Sequence, residues 1–524
     1  MKKVIYLPLD ERPCNLRYPK ALADMTNMQM VVPRRELLGD MKTPADVLLL
    51  HEWLKEEAKS AEYLIVSIDM LIYGGIVPSR LHQLTLEDCL ERVSLLKELK
   101  GQNPNLKIYA YNLIMRVPAY SSSEEEPEYY EQVGDRIYRL GWLTDKKEQG
   151  LADAQELEEF NVITEELSDE IKKDYFSRRQ KNFSVTVQVL QMVDGGVVDY
   201  LIIPLDDNSE YGFTAREQRQ LMLEVDRRNL LDQVAIYPGA DEIACTLFSR
   251  VFCEEHQYTP EIALRYSSTN GPNIIPRYED RSLSESIKSH ITSAGGVIVS
   301  DEIQNDVLLM VHAPAVGQKF MAESSHPLET RHRSYFSEVN IREFAQAMKH
   351  FIGKGRNVAL ADVAICNGGD HSLLQLIEKQ GSLYELSAYA GWNTNGNTMG
   401  TVVAHAIISS YYKKEGKTGE CPEHERESRN FFYSRLVEDW GYQSVVRKHV
   451  SYQILPKLDL TPRYLKDQVP EITKLIEERL KEFVQTHLTN IPDGRMKLED
   501  IHLPWRRMFE VGFTVCLEES KVRH

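Results

Sequence analysis

Apolar residues recur in short runs along most of the chain, each followed by a polar or glycine-bearing loop and then an amphipathic stretch. Repetition of that unit predicts strands alternating with helices around parallel sheet. The runs are Val4–Leu9, Met28–Val32, Tyr63–Ile68, Lys107–Asn112, Tyr200–Leu205 and Val234–Tyr237, then Ile262–Tyr266, Val297–Val299, Val307–Val311, Val358–Ala364 and Leu386–Ala390. Tyr63–Ile68 is almost continuously apolar, as a strand covered on both faces should be. Helical stretches separate them, among them Pro44–Lys59, Leu86–Leu99, Ala215–Asn229 and Asp241–Cys253. Between Val299 and Val307 there is no room for a helical crossover, which predicts a hairpin or tight loop.

The rhythm breaks twice. From Glu124 to Val193 the chain is rich in Glu, Lys, Gln and Arg, with apolar residues at helical spacing (Leu157, Phe160, Ile163, Leu167). This predicts a helical insertion whose charge runs are solvated faces. Beyond Ser409 the pattern gives helices at Glu427–Trp440 and Ile472–Thr486, with Met508–Leu517 as an edge strand. The expected architecture is two parallel-sheet α/β lobes with a helical C-terminal region: residues 1–255 with the insertion 124–193, residues 256–410, and residues 411–524. A TIM-like barrel with an appended α/β unit is the alternative.

Length agrees with more than one core, because 524 residues exceed the usual size of a domain. A formal net charge of −17 without a basic stripe argues against nucleic acid and anionic membrane surfaces as partners. The opening run is cut short by Asp10, Glu11 and Arg12, which fits a first strand rather than a signal peptide. No apolar run is long enough to span a bilayer, so a cytoplasmic location is expected. Seven cysteines without a Cys-x-x-Cys pair give neither a disulfide framework nor a structural zinc site.

Ligands of parallel α/β folds bind at the carboxyl ends of strands, and those positions are dense in Asp, Asn, Arg and Gly. They carry Asp10 and Arg12, then Asp69, then Asn112 and Arg116, then Asp206, Asp207 and Glu210, then Asp241. Later come Asn367-Gly368-Gly369-Asp370-His371 and Trp392, Asn393 and Asn397. Asp241 and Asp370 suit helix caps equally well. No Walker loop, dinucleotide fingerprint or Gly-x-Ser-x-Gly is present, so common nucleotide cofactors and a serine triad have no support. Arg12, Arg80 and Arg116 suit an anion or the neighbouring aspartates. Trp392 with Asn393 and Asn397 offers an apolar wall and paired amides, which suits a sugar.

The sharpest local signal is Asp206-Asp207. Adjacent carboxylates in one pocket repel, which raises a pKa and lets an acid and a charged stabiliser coexist. Such a pair resembles that of substrate-assisted N-acetylhexosaminidases, where one aspartate orients the acetamido group and the other is the general acid. By that resemblance, Asp207 is the acid and Asp206 the orienting group.

Three segments together carry a wider resemblance: Pro8-Leu9-Asp10-Glu11-Arg12-Pro13, Pro204-Leu205-Asp206-Asp207-Asn208 and Ala390-Gly391-Trp392-Asn393-Thr394-Asn395-Gly396-Asn397. In these the chain resembles a bacterial family catalogued as a domain of unknown function, over most of its length to about residue 410. That resemblance implies no particular activity.

The expectation is therefore a hydrolase for a small polar substrate, in its most concrete form a glycosidase of N-acetylhexosaminidase type without a cofactor. Asp206 and Asp207 would be catalytic, and Asp10, Arg12, Asp69, Asn112, Arg116, Glu210, Asp241, Trp392, Asn393 and Asn397 would bind substrate. One alternative is an Mg²⁺- or Mn²⁺-dependent hydrolase or lyase built on the same carboxylates. The other is a small-molecule binding protein without turnover.

Overall fold

The computed structural model describes residues 1–301, 304–414, 416–417, 419–492 and 494–518. Two compact units emerge, each assembled from separate stretches of chain. Met1–Glu11, Met28–Ala244 and Tyr278–Arg281 form the first; Arg12–Asn27, Cys245–Arg277 and the described part of Ser282–His524 form the second.

The first unit holds β1 (Lys2–Leu7), β2 (Met28–Val31), β3 (Tyr63–Ser67), β4 (Lys107–Tyr111), β5 (Tyr200–Leu205) and β6 (Val234–Pro238). They form one six-stranded sheet in the order β2-β1-β3-β4-β5-β6, and every neighbouring pair is parallel. Helices such as Val47–Ala58 and Leu86–Gln102 connect the strands. Thr85 starts the second of these with a reciprocal capping box to Asp88. After β4 the expected helical insertion appears as Tyr130–Glu148, Ala154–Glu166 and Asp169–Asp194. These helices close a small core of their own around Tyr130, Ile137, Leu140, Leu143, Tyr175 and Phe213.

The second unit holds β7 (Glu261–Tyr266), β8 (Val297–Ile298), β9 (Val307–His312), β10 (Val358–Asp362) and β11 (Ala388–Ala390), in the order β11-β10-β9-β7-β8. These strands too are parallel throughout. Counted from β8, the strands follow the sequence second, first, third, fourth, fifth. The first sheet begins the same way and adds a sixth strand. Both sheets are open, so the barrel alternative is not the fold. Of the two connections expected between Val299 and Val307, a hairpin or a tight loop, the hairpin is absent: β8 and β9 both pair with β7, on opposite sides of it, and run parallel. Residues 302 and 303 of that connection lie outside the described residues.

The C-terminal part is helical, as the pattern implied, but Glu427–Trp440 is not one regular helix. His424–Arg435 passes without a break into a π-helical stretch, Leu436–Val446. The helix Val469–His487 follows. Met508–Leu517 contributes a strand, β13 (Gly512–Glu518), which pairs antiparallel with β12 (Arg495–His502) instead of extending a parallel sheet. Among the described residues no helix is long and apolar enough to cross a membrane.

Candidate active site

In an open parallel sheet, the place where strand order reverses leaves a crevice at the carboxyl ends of the strands. In the first sheet that point lies between β1 and β3, and the segments that follow them carry Asp10 and Asp69. Both are buried, at 3% and 2% exposure. Asp69 lies in the first turn of a short helix that Ser67 caps through its hydroxyl, which accepts from Met70 N at 3.2 Å. The Asp69 carboxylate accepts from Leu113 N at 3.0 Å and from Asn112 Nδ2 at 3.4 Å. Burial pushes its pKa up to about 6, against the pull of those hydrogen bonds.

Beside it, two arginines and four carboxylates form a ladder. Arg80 donates to Glu125 at 3.0 Å, Glu126 at 3.3 Å and Asp206 at 2.8 Å. Arg116 donates to Glu126 at 2.8 Å, Glu125 at 3.0 Å and Asp207 at 3.1 Å. The glutamates bridge the two guanidiniums, and each aspartate is held by its own arginine. Asp207 is the most open of these carboxylates, at 24% side-chain exposure against 13% for Asp206 and 4% for Glu126. It adopts a left-handed backbone, φ 41°, strained for a residue other than glycine and common where a turn must aim a side chain. Burial and then the charge of Asp207 raise the pKa of Asp206. Burial also raises Asp207, against Arg116 and Arg80.

The next strand end adds a second acidic group. Glu242, after β6, is 2% exposed; its Oε2 accepts from Ala240 N at 3.1 Å and its Oε1 has no partner. Burial, with Asp241 and Glu279 adding to it, pushes its pKa up to about 8. Gly239 is required there: its φ is +157°, and a Cβ on it would lie 2.1 Å from Glu242 Oε1. Asn208, next to the aspartate pair, is buried with both side-chain polar atoms unpartnered.

One inserted helix fixes these loops. Along a single face of Asp169–Asp194, Asn182 donates to Ser79 O at 2.9 Å and Thr186 donates to Asn112 Oδ1 at 2.8 Å. Arg178 donates to His82 O at 3.0 Å, and Arg179 to Met115 O at 2.7 Å. The helix thereby ties the segment after β3 to the segment after β4. Sequence reading misses this, because Arg178, Arg179, Asn182 and Thr186 look like an ordinary polar face. Glu125 and Glu126 are missed for the same reason, although Glu126 is 3% exposed. The spacing 178, 182, 186 was the available signal: polar residues four apart, on a helix whose apolar partners share that face.

Of the expected site residues, Asp10, Asp69, Asn112, Arg116, Asp206, Asp207 and Asp241 all lie on the carboxyl edge of the first sheet. Glu210 follows the same strand and is exposed. The remaining four belong to the second unit. Arg12 stacks on Trp505, 4.3 Å from the ring centre. Trp392 is buried at 4% exposure, edge-on to Phe509. Asn393 sits in a left-handed turn, φ 59°, and its carbonyl accepts from Asn367 N at 2.9 Å. Asn397 lies in the first turn of the helix Asn395–Tyr412, where its N–H meets the capping Thr394 hydroxyl at 3.4 Å.

The second sheet's edge is also polar but closed. His312, at the end of β9, lies between Ser267 Oγ at 2.9 Å and Asp370 Oδ2 at 3.0 Å. Asp370 accepts from Tyr335 at 2.6 Å and from Arg331 at 3.3 Å, and it also caps the helix His371–Lys379 through Ser372 N. Burial opposes ionisation of Asp370, yet the His312 hydrogen bond and charge hold its pKa below the usual carboxylate range. Ser267, His312 and Asp370 have the order of a catalytic triad. His312 and Asp370 are fully buried and Ser267 is 5% exposed, so this line of bonds fastens strands rather than meeting a substrate. Among the described residues, no group of three or more His, Cys, Asp or Glu side chains is disposed to hold a metal ion.

No curated protein matches the chain. A family model described as "Protein of unknown function (DUF4127)" matches residues 4–514, and the chain belongs to that family.

Proposed function

We propose that the protein is a hydrolase for a small polar substrate, working by carboxylic acid catalysis at Asp206 and Asp207, with a 2-acetamido glycoside as the substrate class. The observation that carries this is the pair itself: two adjacent aspartates at one strand end, each held by a different arginine, in surroundings that favour retention of a proton. Asp207, the more open, is the general acid that protonates the leaving oxygen. Asp206 orients the acetamido N–H while the acetamido oxygen attacks the anomeric carbon, and water then opens the resulting ring. Asp69 and Glu242 hold further protons close to neutral pH on the same edge. Sugar stacking is left to groups other than Trp392, whose ring is buried in the second unit.

The test is hydrolysis of a panel of aryl glycosides by the full chain and by Asp207→Asn. The variant should keep the thermal transition of the parent and lose about a thousandfold or more in kcat. Glycosides without the acetamido group should not be cleaved. Turnover near that of the parent in Asp207→Asn removes the reading. Activity that disappears on exhaustive chelation and returns with Mg²⁺ or Mn²⁺ transfers the carboxylates to the metal-dependent alternative.

A further inference from the structure

The second unit contains a cavity of about 620 Å³ lined by Arg331, His371, Ser372, Lys448, His449 and His487, among others. None of its described lining residues is acidic, although the chain as a whole carries a formal charge of −17. Its floor is formed where β10 gives way to the helix His371–Lys379, and His371 and Ser372 occupy the first turn of that nine-residue helix. The lining also includes Ser444 and Val445 of the π-helical stretch, followed by Lys448 and His449. Departures from regular α-helix of this kind gather at functional sites.

Three further features shape this cavity for a ligand. Arg331 is 7% exposed in its side chain, it lines the cavity, and its Nε has no hydrogen-bond partner; only the bond to Asp370 and the face of Tyr335, 4.3 Å away, hold the guanidinium. Trp440 Nε1 lies 2.9 Å from His371 Nδ1. An indole N–H can only donate, so Nδ1 accepts and a neutral His371 carries its proton on Nε2 as a donor. Lys448 is held by one bond, to His326 O at 3.0 Å, which leaves two of its ammonium protons.

We infer that this cavity binds the phosphoryl group of a small phosphorylated metabolite, independently of the carboxylates on the first sheet. A phosphate monoester presents three acceptor oxygens in different directions. Arginine, lysine, a histidine N–H and the Ser325 hydroxyl satisfy such a group from several sides. A flat carboxylate would use fewer of them. The volume falls in the range of small-molecule pockets and exceeds what inorganic phosphate needs. Leu328, Ile365, Val445 and Tyr452 also line it and would contact the rest of the molecule.

Calorimetric titration of the full chain with inorganic phosphate and with glucose 6-phosphate tests this, with glucose and malonate as controls. Both phosphates should bind, the ester more tightly, while glucose gives no heat and malonate binds more weakly. Lys448→Gln and Arg331→Gln should each weaken phosphate binding about tenfold or more. Asp207→Asn should leave it unchanged, which separates this site from the proposed hydrolase. If Arg331→Gln unfolds, because its Asp370 bond is lost, Lys448→Gln carries the test alone. The inference is overturned if neither phosphate binds at up to about 10 mM, if Lys448→Gln binds phosphate as the parent does, or if malonate binds more tightly than phosphate.

Discussion

The two sheets share the strand order second, first, third, fourth, fifth, yet their carboxyl edges treat charge differently. On the first, carboxylates outnumber arginines and remain partly open: Asp206 and Asp207 are 13% and 24% exposed. On the second, Asp370 is fully buried with His312, Tyr335 and Arg331 around it. An open, acid-rich edge leaves protonation undecided and so suits chemistry. The closed Asp370 cluster holds that carboxyl ionised and so suits structure. What the second edge offers a ligand lies outside that network, in the cationic cavity beside it.

This contrast can be broken most forcefully at Asp370. Asp370→Ala strands buried partners and should destabilise the chain by about 4 kcal/mol in urea unfolding. Asp206→Asn leaves Arg80 its bonds to Glu125 and Glu126 and relieves the repulsion with Asp207, so it should cost less, about 1 kcal/mol. Equal losses would abolish the distinction.

Glu242 gives a sharper reading through pH. Its folded pKa, about 8, lies above the ordinary 4.5. The folded state therefore binds the extra proton between these values, and stability falls as pH rises through that window. Glu242→Gln cannot ionise and should remove the fall. Its stability relative to the parent should grow by about 3 kcal/mol or more from pH 4 to pH 9. A constant difference across that range would show that Glu242 ionises without penalty.

The smallest expected effect concerns Asn208. Its buried amide has no partner, so Asn208→Leu should raise stability by about 1 kcal/mol. If the amide is kept for substrate, hydrolysis should fall in the same variant. A loss of stability would mean that the amide is already satisfied.

Much of this fold is legible in the sequence because parallel strands buried on both faces read as apolar runs. Tyr200–Leu205 and Val307–His312 appear where the runs place them. The strand-end rule likewise finds Asp10, Asp69, Asn112, Arg116, Asp206 and Asp207. It fails where a residue's neighbours come from distant segments. Glu126 and Thr186 look solvated because the groups that bury them, Arg80, Arg116 and Asn112, are 46, 10 and 74 residues away. Trp392 follows a strand, as a sugar platform would, but Phe509, which packs against it, lies far along the chain. The cationic cavity escapes notice for a similar reason. Arg331, His371, Lys448 and His487 share no local pattern, and an overall negative charge conceals them.

The segment Arg12–Asn27 precedes most of the first unit in the chain yet belongs to the second, the rest of which follows it. Its Tyr18 is buried, with its hydroxyl 2.5 Å from Glu438 and the Arg435 guanidinium 3.7 Å from its ring centre. Those partners lie some 420 residues downstream, which is about 20 to 80 seconds of translation at ordinary elongation rates. During that interval the helix Pro13–Asp24 must wait with its buried face uncovered. Birth order and packing order are opposed in this chain, so its yield on synthesis should depend on chaperones more than its finished stability would suggest.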